Sequence, residues 1–454
     1  MDVNEKSLPE NSDYARQTNE TSVANESTPD DLIRLDEGKS YERENAITKI
    51  KLGLVIPSNE FTPENINYMR NSLISRRSVT FCAEQFKNDV IRYEIIDVNV
   101  IPESTASLFE ETISDDYELN SRASNPNAIY IAIDIGGGSS DFAAMQGVEI
   151  IPASEKVYNI GVNDALLEIA QQVERKFNLE SGYLDATYVD NVVRYPVAFC
   201  GKCGTVSKSV GSCNCGGEYQ LKKNIMKVGS RSFDISDIVE YVYDEKADWI
   251  AEFCKRYVEA LFRSRGISKT QLDTIFLVGG GAEIFGERLK TRIRNCVGDF
   301  VDIIKTDKAS WKALNGVSKY VMFKEKRALK DYDRYVFVDP GNTNTKAKCL
   351  SPDGEDIVKP IVMITKTATP LPQINLSIKK INPMMDLDLK IASENGKEHL
   401  GNGHYFVSHL ANKGKNPKTR DFLVPKHLDE MTYIMINSAV GVILARDRAK
   451  KAAK

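Results

Sequence analysis

Apolar residues in this chain gather in two kinds of pattern. Short unbroken runs end at glycine or proline: KIKLGLVIP closing at Pro57, YEIIDVNVIP closing at Pro102, IYIAID from Ile129, TIFLV over Thr274 to Val278, and YVFVD from Tyr335 followed by TKAKCL. Such runs predict buried strands. Elsewhere apolar residues recur every three to four positions. Segments 163–177 and 235–264 have this spacing, the latter through Ile238, Val242, Trp249, Phe253, Val258 and Leu261, and predict helices. Further helices are expected from Ser104, up to about Tyr320, and from Asp429 to a basic end, RDRAKKAAK, whose cations suit a helix C-terminus. Strands alternating with helices predict an α/β protein. Residues 1 to about 45 have neither period and are rich in Asn, Ser, Glu and Asp. They bury too little apolar surface to offset chain entropy, and the expectation for 1–48 is a disordered tail.

At 454 residues the chain is long enough for two domains. Sixty basic and sixty-four acidic residues leave a formal charge of −4, so no general field favours nucleic acid. Direct DNA contact would need a local patch or an adaptor protein. No run approaches a membrane span, and the first residues lack the basic start and apolar stretch of a signal peptide. A cytoplasmic location is expected, which also suits eight cysteines that do not suggest a disulfide scaffold.

Three strands run into glycine turns. The first turn is Asp134-Ile135-Gly136-Gly137-Gly138-Ser139, the second Val278-Gly279-Gly280-Gly281-Ala282, and the third Asp339-Pro340-Gly341-Asn342-Thr343-Asn344-Thr345-Lys346. A strand end followed by glycines exposes backbone N–H groups that can approach a polyphosphate without side-chain obstruction. No G-x-x-x-x-G-K-[ST] loop occurs. Any one of these turns alone is a tight connection; three on apolar strands, two of them bearing an aspartate, are much harder to dismiss.

IDIGGGSSDF resembles the second phosphate motif of actin-like ATPases, VDPGNTNTK the first, and FLVGGGAEIFG the adenosine motif. VNVIPESTASLFE and WKALNGVSKYVMF resemble the two segments that link the domains of that superfamily. The chain looks most like the ParM/StbA branch, the plasmid-segregation actins. The resemblance implies two actin-like (ribonuclease-H-like) domains flanking an ATP/ADP cleft. The amides of Gly136 to Ser139 and of Gly341 to Asn344, with Asn342 and Thr343, would hold phosphates, and Lys346 would reach the β/γ oxygens. Asp339 and Asp134 would hold Mg²⁺, largely through water. Gly279, Gly280, Gly281 and Ala282 would underlie adenine and ribose. Glu103 and Asp134 would position the attacking water. Glu103 has a second reading as a carboxylate at a helix start, and Asp141 reads as a turn residue. The implied activity is ATP hydrolysis coupled to filament assembly, with self as partner, a DNA-bound adaptor, and neither membrane nor direct nucleic acid contact. The alternatives are a non-polymerising phosphotransferase or phosphatase of the same superfold, such as a sugar kinase or exopolyphosphatase, and a nucleotide-gated chaperone-like factor.

Motif order departs from that family, because the first phosphate motif stands after the adenosine motif. Starting the chain near Tyr335 restores the series. A circular permutation is therefore expected, with residues 49–130 and 335–454 forming domain I, 131–306 domain II, and 307–334 the linking helix and connector. Within domain II, 195–220 holds Cys200, Cys203, Cys213 and Cys215, spaced C-x2-C, nine residues, C-x-C. Four thiolates on glycine-bearing knuckles suit structural Zn²⁺, although C-x-C is tighter than the usual pair. The histidines, His399, His404, His409 and His427, are distant in sequence and read as surface or packing residues.

Overall fold

A computed structural model describes residues 47–82, 90–207, 209–229, 231–326, 331–341, 344–363, 367–370, 386–393, 400–408, 418–419 and 425–452. Residues 1–46 of the expected tail, Asn342, Thr343, His399 and His409 lie outside the described residues, whereas Thr48, placed at the end of that tail, opens the strand Thr48–Ile56. Two compact units form, one from Asn163–Lys246 and the other from Tyr41–Val162 with Ala247–Lys454. The architecture is mixed α/β, as the alternating patterns imply.

The larger unit contains two sheets with the same strand plan. In one, Ile129–Ile135 lies centrally; Ser140–Gln146 and then Glu149–Ile150 follow antiparallel on one side, and Leu272–Val278 and Asp302–Lys305 lie parallel on the other. In the other, Arg334–Pro340 takes the central place. Thr345–Leu350 and Asp356–Met363 follow antiparallel on one side, and Thr48–Ile56 and Val90–Pro102 lie parallel on the other. In each sheet the central strand has an aspartate, Asp134 or Asp339, as its next-to-last residue and is followed by glycine. The second sheet continues beyond Val90–Pro102 through Arg76–Phe81, Asp386–Ser393, Gly403–Ser408, Thr367–Pro370 and Lys418–Thr419.

Helices Glu103–Thr112 and Lys312–Glu325 share one core with residues from both sheets: Val55, Ile101, Tyr335 and Phe337 from one, Tyr130, Ala132, Phe276 and Val278 from the other. Their crossing is close. A Cβ on Gly316 would lie 1.7 Å from the Ala106 carbonyl oxygen, and Phe109 stacks on Tyr320 with centroids 4.2 Å apart. The first helix begins at Glu103 with no loop between it and the strand Val90–Pro102, one residue before the expected start. Helix Glu430–Ala452 forms a second core with the other face of the sheet that contains Thr48–Ile56; Met431 to Ala445 are all buried on it, Asn437 and Ser438 included. Asn437 is satisfied there, accepting from Tyr93 Oη at 2.8 Å and donating to the Tyr433 carbonyl at 2.8 Å.

The smaller unit holds the helix Ala186–Arg194, capped by the Asp185 carboxylate at Tyr188 N–H (2.7 Å), and a four-stranded sheet of Gly211–Ser212, Glu218–Lys222, Val197–Cys200 and Val206–Ser207. Among the described residues no helix is long and apolar enough to cross a membrane.

Candidate nucleotide site and cysteine cluster

In the larger unit the carboxylates singled out from sequence meet at strand and helix ends. Asp134 stands opposite Asp141 in the register of Ile129–Ile135 with Ser140–Gln146, so Asp141 belongs to a strand rather than to the turn. The Ser107 hydroxyl lies 3.4 Å from Asp134 Oδ2 and 3.2 Å from the Glu103 carbonyl oxygen, tying the helix start to the strand end. Burial drives the Asp134 carboxyl well above its usual range, and the charges of Glu103, Asp141 and Asp339 add to that; Lys346 opposes it. Asp141, buried, is pushed up to about 7 by desolvation and then by Glu103. The Ser139 hydroxyl donates to it at 2.9 Å and Ser58 N–H at 3.4 Å, which work the other way.

Two lysines enter this acidic cluster. Lys346 Nζ lies 3.3 Å from Asp339 Oδ2 and also donates to the Ser310 carbonyl. Lys426 Nζ lies 2.6 Å from Glu103 Oε1, with its side chain only 3% exposed. Burial works against the Lys426 charge, but Glu103, Asp339 and Glu60 together outweigh it and hold its pKa above the ordinary value. Nearby, His427 is buried against Glu60 Oε2, 3.5 Å from Nδ1, and faces the Tyr68 ring. Sequence reading missed Lys426 and Glu60. Neither belongs to a glycine motif, and a lone Pro-Lys-His carries no pattern that marks it as buried.

The glycines divide by steric demand. Gly279 has φ +80°, and a Cβ there would lie 2.2 Å from Asp134 Oδ1; one on Gly281 would lie 2.3 Å from Ile135 Cγ2. These two let the turn after Leu272–Val278 pack against the Asp134 strand end, an arrangement closed by Gly281 N–H donating to the Ile135 carbonyl at 2.8 Å. Gly136 N–H donates to the Ser139 carbonyl at 2.8 Å and closes the triple-glycine hairpin. A Cβ on Gly138 or Gly280 would instead meet nothing within 4 Å. Ala282 opens the helix Ala282–Val297, whose start has no side-chain cap. Gly341 N–H donates to the Asp339 carbonyl at 3.0 Å, and a Cβ on Gly341 would lie 2.6 Å from the Asn344 carbonyl oxygen.

In the smaller unit, Cys200, Cys203, Cys213 and Cys215 bring their Sγ atoms within 4.8 Å of one another. Cys200 to Cys215 and Cys203 to Cys213 are each 3.5 Å. Tetrahedral zinc with bonds of about 2.3 Å needs sulfur–sulfur edges of about 3.8 Å, so the donor set fits in chemistry and in size. Gly217 makes room for it, since a Cβ there would lie 2.9 Å from Cys200 Sγ. Hydrogen bonds from the Cys215 N–H and from Tyr219 bring the Cys213 thiol down to about 5, whereas Cys203 and Cys213 push Cys215 up to about 12.

No protein-family model matches the chain, and no curated protein does. Among solved structures it is similar to an archaeal actin homologue, Ta0583, at 13% identity over 61% of this chain and 70% of that one, with a TM-score of 0.42. It is also similar to the Alp12 filament structure (17% identity, 63% and 71% covered, TM-score 0.37) and to the actin-like protein Alp7A (15%, 64% and 72%, 0.43). Within the chain itself, two sheets share one strand plan, and the central strand of each runs into a glycine turn.

The upward shift of Asp141 gives a pH signature. Folding keeps its proton between the ordinary carboxylate range and about 7, so its cost to stability grows as pH rises through that window and levels off above it. Asp141→Asn is expected to raise the nucleotide-free melting temperature at pH 8, with the gain shrinking towards pH 4. Thermal melts of both proteins across this range check it; a gain independent of pH contradicts the assignment.

Proposed function

We propose that this chain is an ATP-driven filament protein of the actin-like class. The observation that carries the reading is the meeting of Asp134, Asp339, Glu103 and Lys346 beside glycine turns at the ends of two like-ordered sheets. The open space at Gly138 and Gly280 favours it too, because a polyphosphate or a base needs room that the protein's own atoms do not fill. Asp134 and Asp339 would hold magnesium, mainly through water. The amides of Gly136–Ser139 and Gly341–Asn344 would cradle phosphates. Gly279 to Ala282 would lie under the nucleoside. Magnesium, when bound, neutralises charge on the phosphates. Lys346 would reach the phosphate oxygens, and Glu103 with Asp134 would orient the attacking water. Assembly with ATP, disassembly after hydrolysis and a DNA-bound adaptor complete the reading, on the ParM-like motif set.

Circular permutation fits the same picture. The plan of the Ile129–Ile135 sheet is met in chain order, whereas its twin takes its two parallel strands, Thr48–Ile56 and Val90–Pro102, from the other end of the chain. Zinc at the four cysteines would be a structural element of the smaller unit.

Light scattering of the full chain is expected to rise on adding Mg-ATP above a critical concentration and to fall as phosphate is released. Glu103→Ala is expected to assemble but to release phosphate about 10²–10⁴-fold more slowly and to disassemble late. A chain that stays monomeric in every nucleotide state, at all concentrations and salts, sinks the filament reading.

For the permutation, coexpressed fragments 1–326 and 332–454 are expected to copurify as one nucleotide-binding complex. Fragment 1–326 binding Mg-ATP as tightly as the whole chain would remove Asp339 and Lys346 from the site.

Metal analysis of purified protein is expected to give about one zinc per chain, lost in a Cys213→Ser, Cys215→Ser variant that still binds ATP. Wild-type protein free of zinc refutes the metal.

A further inference from the structure

We propose that Lys426 is a positioning residue for the hydrolytic step, acting through Glu103; this rests on the ATPase reading of the same site. Lys426 sits in the Pro425–Leu428 turn just before helix Glu430–Ala452, a turn closed by Leu428 N–H donating to the Pro425 carbonyl at 3.0 Å. That helix is buried along most of its length, so the turn is held in place by the core behind it. The lysine is 2% exposed, and its Nζ reaches Glu103 Oε1 at 2.6 Å.

An ammonium is costly to bury, and a methionine or leucine would fill similar space without that penalty. The charge at position 426 therefore answers a local need. The carboxylates whose charge bears on Lys426 are Glu103, Asp339 and Glu60, and Lys426 in turn acts on Asp141. They divide between the available donors. Lys346 bonds Asp339. His427, through its backbone N–H at 3.4 Å and its ring, faces Glu60. Lys426 bonds Glu103, the carboxylate at the helix start nearest the Asp134 strand end.

The pair fixes where Glu103 points. Its Oε1 is committed to Lys426, which leaves Oε2 as the acceptor for a water, while the carboxylate keeps a side-chain exposure of 22%. A glutamate free to rotate would spend much of its time in other rotamers or turned towards solvent. Holding one oxygen selects the orientation in advance of nucleotide. Lys426 thus sets the rate of the step that Glu103 performs and leaves nucleotide affinity, which is set by the glycine turns, Lys346 and the aspartates, nearly untouched.

The test uses the full chain and four variants: Lys426→Met, Lys426→Arg, Glu103→Ala, and Glu103→Ala with Lys426→Met. Mg-ATP affinity and single-turnover phosphate release are measured on each. Lys426→Met is expected to slow release by about 10–100-fold with affinity within about threefold. Lys426→Arg, which keeps the charge, is expected to recover most of that loss. In the Glu103→Ala background, Lys426→Met is expected to change the rate by less than about twofold, because its partner is already gone. The double variant also removes both members of the buried pair together, so it is informative even where Lys426→Met alone fails to fold. A Lys426→Met protein with the wild-type rate overturns the proposal, as does a double variant slower than Glu103→Ala by the full single-variant factor, or an equal loss of affinity and rate. A wild-type chain that binds Mg-ATP without releasing phosphate removes the ATPase reading and this proposal together, whereas an active wild type with any of the three preceding results removes this one alone.

Discussion

Two helices whose backbones nearly touch hold the larger unit together. Gly316 and Ala106 sit where Glu103–Thr112 crosses Lys312–Glu325, and any side chain at 316 would press on the Ala106 carbonyl. Because both sheets contribute to the core around these helices, this crossing sets how one sheet stands to the other. Glu103 lies less than one helical turn from the contact, and Ser107, a turn further on, touches Asp134. The placement of the carboxylates is thus a by-product of helix packing. Close-packed interiors transmit such constraints with little give.

That packing creates an electrostatic problem, which the same region resolves. Placing Asp134 and Asp141 in a desolvated space beside the charge of Glu103 raises the cost of ionising both of them. Lys346 and Lys426 balance part of the charge, one from the strand Thr345–Leu350 and one from the turn before the long buried helix.

How much of this was legible in the sequence depended on whether a feature was local. The strands ending in glycine turns were readable because uniform apolar runs and glycine punctuation lie side by side, and the cysteine spacing placed four sulfurs together for the same reason. Hairpin strands were harder. Ser140–Gln146 is built largely of small or polar residues, and Asp356–Met363 carries Pro360, which argues against a strand until one sees that it lies at the end of the sheet order, where a missing N–H is tolerated. Lys426 was invisible because its burial is made entirely by tertiary contact: Glu103 is 323 positions away along the chain. Helix Glu430–Ala452 was expected with its basic end, but not its burial on nearly every side, since Asn437 and Ser438 look solvent-facing until Tyr93 and the helix's own carbonyls satisfy them.

The pairing of Ile50 with Arg334 has a consequence for the nascent chain. The sheet around Ile129–Ile135 has all its strands once Asp302–Lys305 has left the ribosome. Thr48–Ile56 and Val90–Pro102 emerge earlier, yet the central strand that joins them to their hairpin comes only with Arg334–Pro340, and the helix that covers their face comes last of all. At roughly 5–20 residues per second, apolar strands made near the start wait for tens of seconds with an edge unpaired. Such a chain is a natural client for holding chaperones, and its first-made strands are the place where aggregation during synthesis would begin.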